Sequence, residues 1–256
     1  MITAGVDVGS LSSDAVILND GKMAGYAVIT TGADMRRAAE KSYNQALEQS
    51  GLRQSDVEMI VSTGYGRATA SFAPKAVTEI TCHGKGARFL FPEASTVIDI
   101  GGQDSKVIEL GGAGKVVDFV MNDRCAAGTG RFLEVMAQAL EVGLEEMGEV
   151  SLKHKHNVVI SSTCTVFAES EVISLLASGY SREDILNGIH QAIASRVYAL
   201  GMKLRIRDEV VLTGGVVKNI AVAKALEKRL GIKLKTPPEP QIVGALGAAI
   251  YARSLL

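Results

Sequence analysis

One short pattern occurs twice in this chain and limits the architectures open to it. Ala4-Gly-Val-Asp7-Val-Gly9-Ser10, followed by Ala15-Val-Ile-Leu18, is echoed by Thr96-Val-Ile-Asp99-Ile-Gly101-Gly102, followed by Ser105-Lys-Val-Ile-Glu-Leu110. Each copy is an apolar run of strand length, an Asp-x-Gly turn and a second apolar run. A repeated supersecondary unit implies two related halves facing one cleft. The predicted class is therefore α/β.

The intervening segments fit that class. Asp34 can cap a helix to about Gln49, with Met35, Ala38, Ala39, Ala46 and Leu47 on one face. A strand over 57–61 ends at Ser62-Thr-Gly-Tyr-Gly66, and a helix is predicted from about Lys75 to Phe89 with Pro92 just beyond. Later come a strand over 115–121, a long helix over about 182–203, a strand over 209–212 closed by Thr213-Gly214-Gly215, and a last helix carrying Gly244 and Gly247. No proline interrupts the chain between Pro92 and Pro237.

The chain has 256 residues, 47% hydrophobic and 21% charged, with a net charge of -1. That balance shows no nucleic-acid or membrane footprint. No apolar stretch approaches the ~20 residues a membrane span needs, and Asp7 arrives too early for a secretory leader. Three cysteines do not make a disulfide framework, so a reducing cytoplasmic setting is expected.

An Asp-x-Gly turn sets a carboxylate beside bare backbone amides, and its glycines let phosphate oxygens approach closely. The carboxylate suits a hydrated Mg²⁺, which keeps most of its waters. A single such turn reads more readily as an ordinary tight hairpin. The pair, with Thr213-Gly214-Gly215 after a downstream strand, points to phosphate binding.

Two cysteines each precede a predicted helix, in Cys125-Ala-Ala-Gly-Thr-Gly-Arg-Phe-Leu-Glu134 and Cys164-Thr-Val-Phe-Ala-Glu-Ser-Glu-Val172. Helix N-termini favour anions, and a thiolate-ligated iron–sulfur centre is one. A [4Fe–4S] cluster usually takes four thiolates, which two cysteines per chain in a two-fold dimer would supply. Two alternatives stay open on spacing alone: small buried residues, or a zinc site at the same interface. Glu169 and Glu171 read as first-turn acidic residues of the second helix. Cys82-His83, with Glu79 four residues before His83, reads more readily as core packing than as a metal site. His154 and His156 read as a solvated loop, Arg67 as an interdomain contact, and Lys22, Arg36, Arg37 and Lys41 as wet surface.

The three glycine motifs together resemble the actin, Hsp70 and sugar-kinase superfamily. The resemblance implies two ribonuclease-H-like domains hinged about an ATP cleft: residues 1–94 with a returning helix over 241–256, and residues 95–240 bearing the cysteines. Val97-Ile-Asp-Ile-Gly-Gly-Gln-Asp-Ser-Lys-Val-Ile108, Asn122-Asp-Arg-Cys125 through Glu134 and Ser162-Thr-Cys164 through Val172 are very similar to the 2-hydroxyacyl-CoA dehydratase activators, which form one ATPase family with the ATPase subunits of benzoyl-CoA reductase. The first turn departs from the pattern. Activators commonly carry Thr and Lys after the serine, whereas Ser10 here is followed by Leu11, Ser12 and Ser13.

The resemblance implies an ATP-hydrolysing activator of anaerobic metabolism that passes one low-potential electron to a dehydratase. A benzoyl-CoA-reductase-type subunit or a cluster-free kinase are the alternatives. Asp7, Asp99 and Asp104 are expected to position Mg²⁺ and the attacking water, with Gln103 orienting that water. ATP or ADP contacts are expected at Gly9, Ser10, Ser12, Ser13, Gly101, Gly102, Ser105, Lys106, Gly214, Gly215, Asn219 and Gln241. Cys125 and Cys164 are implied ligands of a [4Fe–4S] cluster shared across a homodimer. Ferredoxin or flavodoxin is the implied electron donor. For one electron about 59 mV is ~1.4 kcal/mol, so roughly 10 kcal/mol shifts a potential by about 400 mV, which justifies coupling ATP to a single electron.

Overall fold

Ile2–Val8 (β1) is buried along almost its whole length, as a central strand must be. It is followed by β2 (Ser12–Asn19), β3 (Lys22–Thr30), helix α1 (Met35–Ser50), β4 (Met59–Thr63), β5 (Lys75–Ala76) and α2 (Glu79–Leu90). Then come β6 (Thr96–Ile100), β7 (Ser105–Leu110), β8 (Val116–Met121), α3 (Gly130–Leu140), α4 (Met147–Ser151), α5 (Thr165–Ala177) and α6 (Arg182–Gly201). The chain ends with β9 (Val210–Thr213), α7 (Ile220–Leu230) and α8 (Val243–Arg253). This computed structural model describes residues 1–256 apart from 123–125, 127, 162–163 and 207–208.

The chain forms two units: residues 1–97, 108–119 and 237–256, and residues 98–107 and 120–236. In the first, a five-stranded sheet has the order β3-β2-β1-β4-β5. β1 pairs antiparallel with β2 and parallel with β4, in a register that sets Asp7 opposite Asp14 on one side and Thr63 on the other. Helix α1 is capped by the Asp34 carboxylate, which accepts from the Arg37 amide at 3.0 Å, a cap of about 1 kcal/mol. Its Ala39, Tyr43, Ala46 and Leu47 join Val6, Val8 and Ile17 of the sheet in one apolar cluster.

The C-terminal helix α8 packs on the same unit through Ala245, Leu246 and Ala249 against Val16 and Leu18. Glycine permits that approach. A Cβ at Gly5 would overlap the backbone of Ala245 and Ala249, and one at Gly247 would overlap the Cys82 carbonyl of α2. The Thr3 hydroxyl donates to the Ala249 carbonyl at 3.0 Å.

A second sheet has the order β8-β7-β6-β9. In the second unit, Ile98, Ile100, Val107, Val210 and Leu212 share one core with Phe132, Leu133 and Met136 of α3 and Ile185, Ile189 and Ile193 of α6. Each fully buried side chain of that size is worth about 1.5–3 kcal/mol.

Two local expectations need correction, and one strand has no expectation behind it. The predicted helix over 75–89 starts only at Glu79, because Lys75 and Ala76 pair in parallel with Val61 and Ser62, and Thr78 then caps the helix. Glu169 and Glu171 lie beyond the first turn of α5, and Glu171 instead accepts from the Ser161 amide and hydroxyl, each at 2.9 Å. Strand β3 has no counterpart among the sequence expectations. Its Lys22–Met23 end is exposed and its burial is only partial.

Candidate functional site

The first turn is closed by the Gly9 amide donating to the Ser12 carbonyl at 2.9 Å. The Thr31 hydroxyl donates to the Gly9 carbonyl at 2.9 Å, so the Ser13 hydroxyl, 2.9 Å from Thr31 Oγ1, is the donor of that pair. Ser13 is thereby buried inside the unit. Ser12 Oγ donates to Asp14 Oδ2 at 3.1 Å and accepts from Gln241 Nε2 at 3.3 Å, which brings two expected nucleotide contacts together. Asp7, at the end of β1, is almost fully buried. Gly64, with φ +87°, lies against its Oδ1, and Gly244 lies against its Oδ2.

The second turn is built the same way, with the Gly101 amide donating to the Asp104 carbonyl at 2.9 Å. Lys106 Nζ donates to Asp104 Oδ1 at 2.6 Å and to Asp99 Oδ2 at 3.4 Å. The other oxygen of Asp99, Oδ1, accepts from the Thr213 hydroxyl at 2.9 Å. Lys106 therefore reaches two of the expected catalytic carboxylates, and Thr213 ties Asp99 to the Gly214 turn. Gly214, with φ +94°, sits where a Cβ would overlap the Ile100 carbonyl and crowd Asp99. Gln103 is exposed beside this cluster.

The second turn also holds the segment that precedes α3. The Gly130 and Arg131 amides donate to the Gly101 and Gly102 carbonyls at 2.9 and 2.8 Å. The first amides of α3 are thus satisfied by the turn rather than by an external anion. Ser105 grips the same segment at both ends. Its amide donates to Asn122 Oδ1 at 2.7 Å, its carbonyl accepts from the Asn122 amide at 3.1 Å, and its buried hydroxyl donates to the Gly128 carbonyl at 2.9 Å. Residues 122–130 include Cys125, which lies outside the described residues; α3 begins five positions after it. Cys164 is exposed and is the N-cap residue of α5, without a side-chain capping bond. That leaves a thiol accessible beside a helix N-terminus, a setting that fits a thiolate metal ligand. No group of three or more His, Cys, Asp and Glu side chains suited to a metal ion occurs among the described residues.

Asn219 does local work. Its Oδ1 accepts from the Ala221 amide at 3.1 Å, capping α7, and its Nδ2 lies 3.0 Å from His190 Nε2. His190 Nδ1 is 2.8 Å from Ser151 Oγ. A donor amide on Nε2 makes that nitrogen the acceptor, so Nδ1 carries the proton and donates to Ser151. Burial pushes the His190 imidazole down to about 4. Nothing in the three glycine motifs signals this Ser151–His190–Asn219 chain, whose members are scattered in sequence. Cys82 is fully buried, and its thiol is pushed up to about 12, chiefly by burial. It stays protonated at neutral pH, in keeping with a packing role. His154 and His156 are exposed, and Arg67 donates to the Gly64 carbonyl at 3.0 Å and to Glu79 at 3.2 Å.

The chain is 50% identical over 252 residues to the activator of lactoyl-CoA dehydratase from Anaerotignum propionicum, covering 98% of this chain and 97% of the relative. The crystal structure of the (R)-2-hydroxyglutaryl-CoA dehydratase component A of Acidaminococcus fermentans matches with a TM-score of 0.96 at 46% identity, covering 100% of this chain and 98% of that one. The activator of the 2-hydroxyisocaproyl-CoA dehydratase from Clostridium difficile, solved with bound ADPNP, matches at 0.94 and 43%, covering 100% and 95%. One of the benzoyl-CoA reductase subunits of Thauera aromatica is more distant, at 34% identity over 98% of this chain and 92% of the relative. A ROK family glucokinase from Streptomyces griseus, at 14% identity and a TM-score of 0.64, covering 99% and 100%, shares the fold alone. A family model spans residues 4–252, and the chain belongs to the BadF/BadG/BcrA/BcrD ATPase family.

Proposed function

We propose that this protein is an ATP-hydrolysing activator that delivers one electron to a 2-hydroxyacyl-CoA dehydratase. The observation that carries the reading is the double engagement of the second turn. Lys106 bonds Asp99 and Asp104 there, and hydrogen bonds from Ser105, Gly101 and Gly102 hold Asn122, Gly128, Gly130 and Arg131, which flank Cys125 in the sequence. A change at a bound phosphate therefore has a short covalent and hydrogen-bonded path to that segment. The higher identity to dehydratase activators than to the benzoyl-CoA reductase relative favours a dehydratase as partner.

In this reading Asp7, Asp99 and Asp104 hold a hydrated Mg²⁺ and the attacking water, Gln103 orients that water, and the glycine turns cradle phosphate. Ser13, Ser105 and Asn219 serve instead as struts, since their side chains already bond within the protein. Cys125 and Cys164, with the same pair from a second copy, hold a [4Fe–4S] cluster, which when bound supplies a one-electron carrier. A ferredoxin or flavodoxin is the donor, and the protein works in the cytoplasm.

Anaerobic purification with iron and sulfide analysis tests the reading. About four irons per two chains, in a brown dimer, are expected. A colourless, iron-free protein after reconstitution would refute it. Asp104→Asn is expected to abolish ATP hydrolysis while iron content stays unchanged; hydrolysis at the wild-type rate would remove Asp104 from the catalytic set.

A further inference from the structure

Asp7 is held by more than its own turn. On α2, His83 is almost completely buried, and its Nε2 lies 4.0 Å from Asp7 Oδ2. A small rotation of ring or carboxylate shortens that distance to a hydrogen bond. Gly244 of α8 fits against both groups: a Cβ there would overlap Asp7 Oδ2 and come within 3.2 Å of His83 Nε2. On the opposite side, a Cβ at Gly64 would overlap Asp7 Oδ1. Gly64 is itself fixed, because Arg67 Nη1 donates to its carbonyl and to Glu79 Oε2, and the Gly66 amide donates to the Val8 carbonyl at 2.8 Å.

Glu79 and His83 stand four residues apart on the first turns of α2, so they share one face of that helix. One acts on the Asp7 carboxylate through Arg67 and Gly64, the other directly. We infer that His83 is a positioning residue that fixes the orientation in which Asp7 presents its carboxylate to the nucleotide-bound cation. A purely apolar filler would need no ring nitrogen facing Oδ2, and glycine at 244 would not be needed to make room for both groups. The neighbouring Cys82 is no substitute, since its buried thiol keeps its proton. The inference rests on the proposed role of Asp7 in holding hydrated Mg²⁺.

The test compares wild type, His83→Gln, His83→Asn and Asp7→Asn, each as the full chain. The readouts are Mn²⁺ binding in the presence of ADP, followed by electron paramagnetic resonance, and metal-free ADP binding by calorimetry. Glutamine carries its amide to the place of Nε2, whereas asparagine stops near Nδ1. Loss of a group that orients a metal-holding residue commonly costs 10-fold or more in metal affinity. His83→Asn is therefore expected to weaken Mn²⁺ about tenfold and lower kcat more than it raises KM for ATP. His83→Gln is expected to restore affinity to within about threefold, with metal-free ADP binding unchanged. Equal behaviour of the two variants, or a parallel loss of metal-free ADP binding, would overturn the inference. Wild-type Mn²⁺ affinity in His83→Asn with weakened binding in Asp7→Asn overturns the His83 role alone. Wild-type affinity in Asp7→Asn overturns the role of Asp7 and with it that of His83.

Discussion

Lys106 is the residue whose removal the structure prices most directly. Its ammonium is bonded to Asp104 at 2.6 Å and to Asp99 at 3.4 Å, and the Lys106 and Asp99 side chains are 6% and 4% exposed. Lys106→Met keeps the length and apolar stem while deleting the charge. Breaking a buried pair by removing one partner costs about 3–5 kcal/mol. An independent ceiling comes from protonation. A carboxyl with an ordinary value of about 3.9 can escape by binding a proton, at about 1.36 kcal/mol per unit, so at pH 7.5 the loss cannot exceed about 5 kcal/mol. At pH 5.0 the same ceiling falls to about 1.5 kcal/mol. In the variant the folded carboxyl sits above its unfolded value, so its stability is greatest in acid and is lost as pH rises. Urea unfolding of wild type and Lys106→Met at pH 7.5 and pH 5.0 measures the difference. The expected deficit is about 3–5 kcal/mol at pH 7.5 and no more than about 1.5 at pH 5.0. A deficit below about 1 kcal/mol at pH 7.5, or one that is equal at both values, would refute the argument that this lysine neutralises the buried Asp99 carboxylate.

Two further outcomes follow from named contacts. His190, held near 4 by burial when folded and near 6.5 when unfolded, contributes stability that is complete above pH 6.5 and disappears as pH falls through 4. The span corresponds to about 3 kcal/mol, and His190→Gln should flatten that part of a urea-midpoint against pH curve. Gly247→Ala drives a methyl into the Cys82 carbonyl, a backbone obstacle that cannot swing aside. It should cost about 3 kcal/mol and lower Tm by roughly 6–12 °C. Gly112→Ala, with open space around it, should leave Tm unchanged.

The paired Asp-x-Gly turns, the capped helix after Asp34, the buried strands and the long helix beginning at Arg182 were all readable from sequence, because each depends on near neighbours: periodicity, a cap three residues away, a glycine inside a turn. The repeat also pointed to the residues that cluster at each turn. Local pattern could not say what those residues bond to. Ser13, Ser105 and Asn219 look like phosphate contacts by position. Their partners are Thr31, Gly128 with Asn122, and His190, which only folding brings near. The sequence pattern merges β5 into the helix that follows, because two residues carry too little pattern to outweigh a helix nearby, and pairing with β4 decides it. The sequence by itself determined the two Asp-x-Gly turns at the ends of β1 and β6, since their carboxylates and glycines lie within a few residues of one another. Tertiary structure alone decided which neighbours hold those carboxylates still. Lys106 and Thr213 fix Asp99, whereas His83, Gly64 and Gly244 box in Asp7, because side chains far apart in the chain meet only when helices and strands pack.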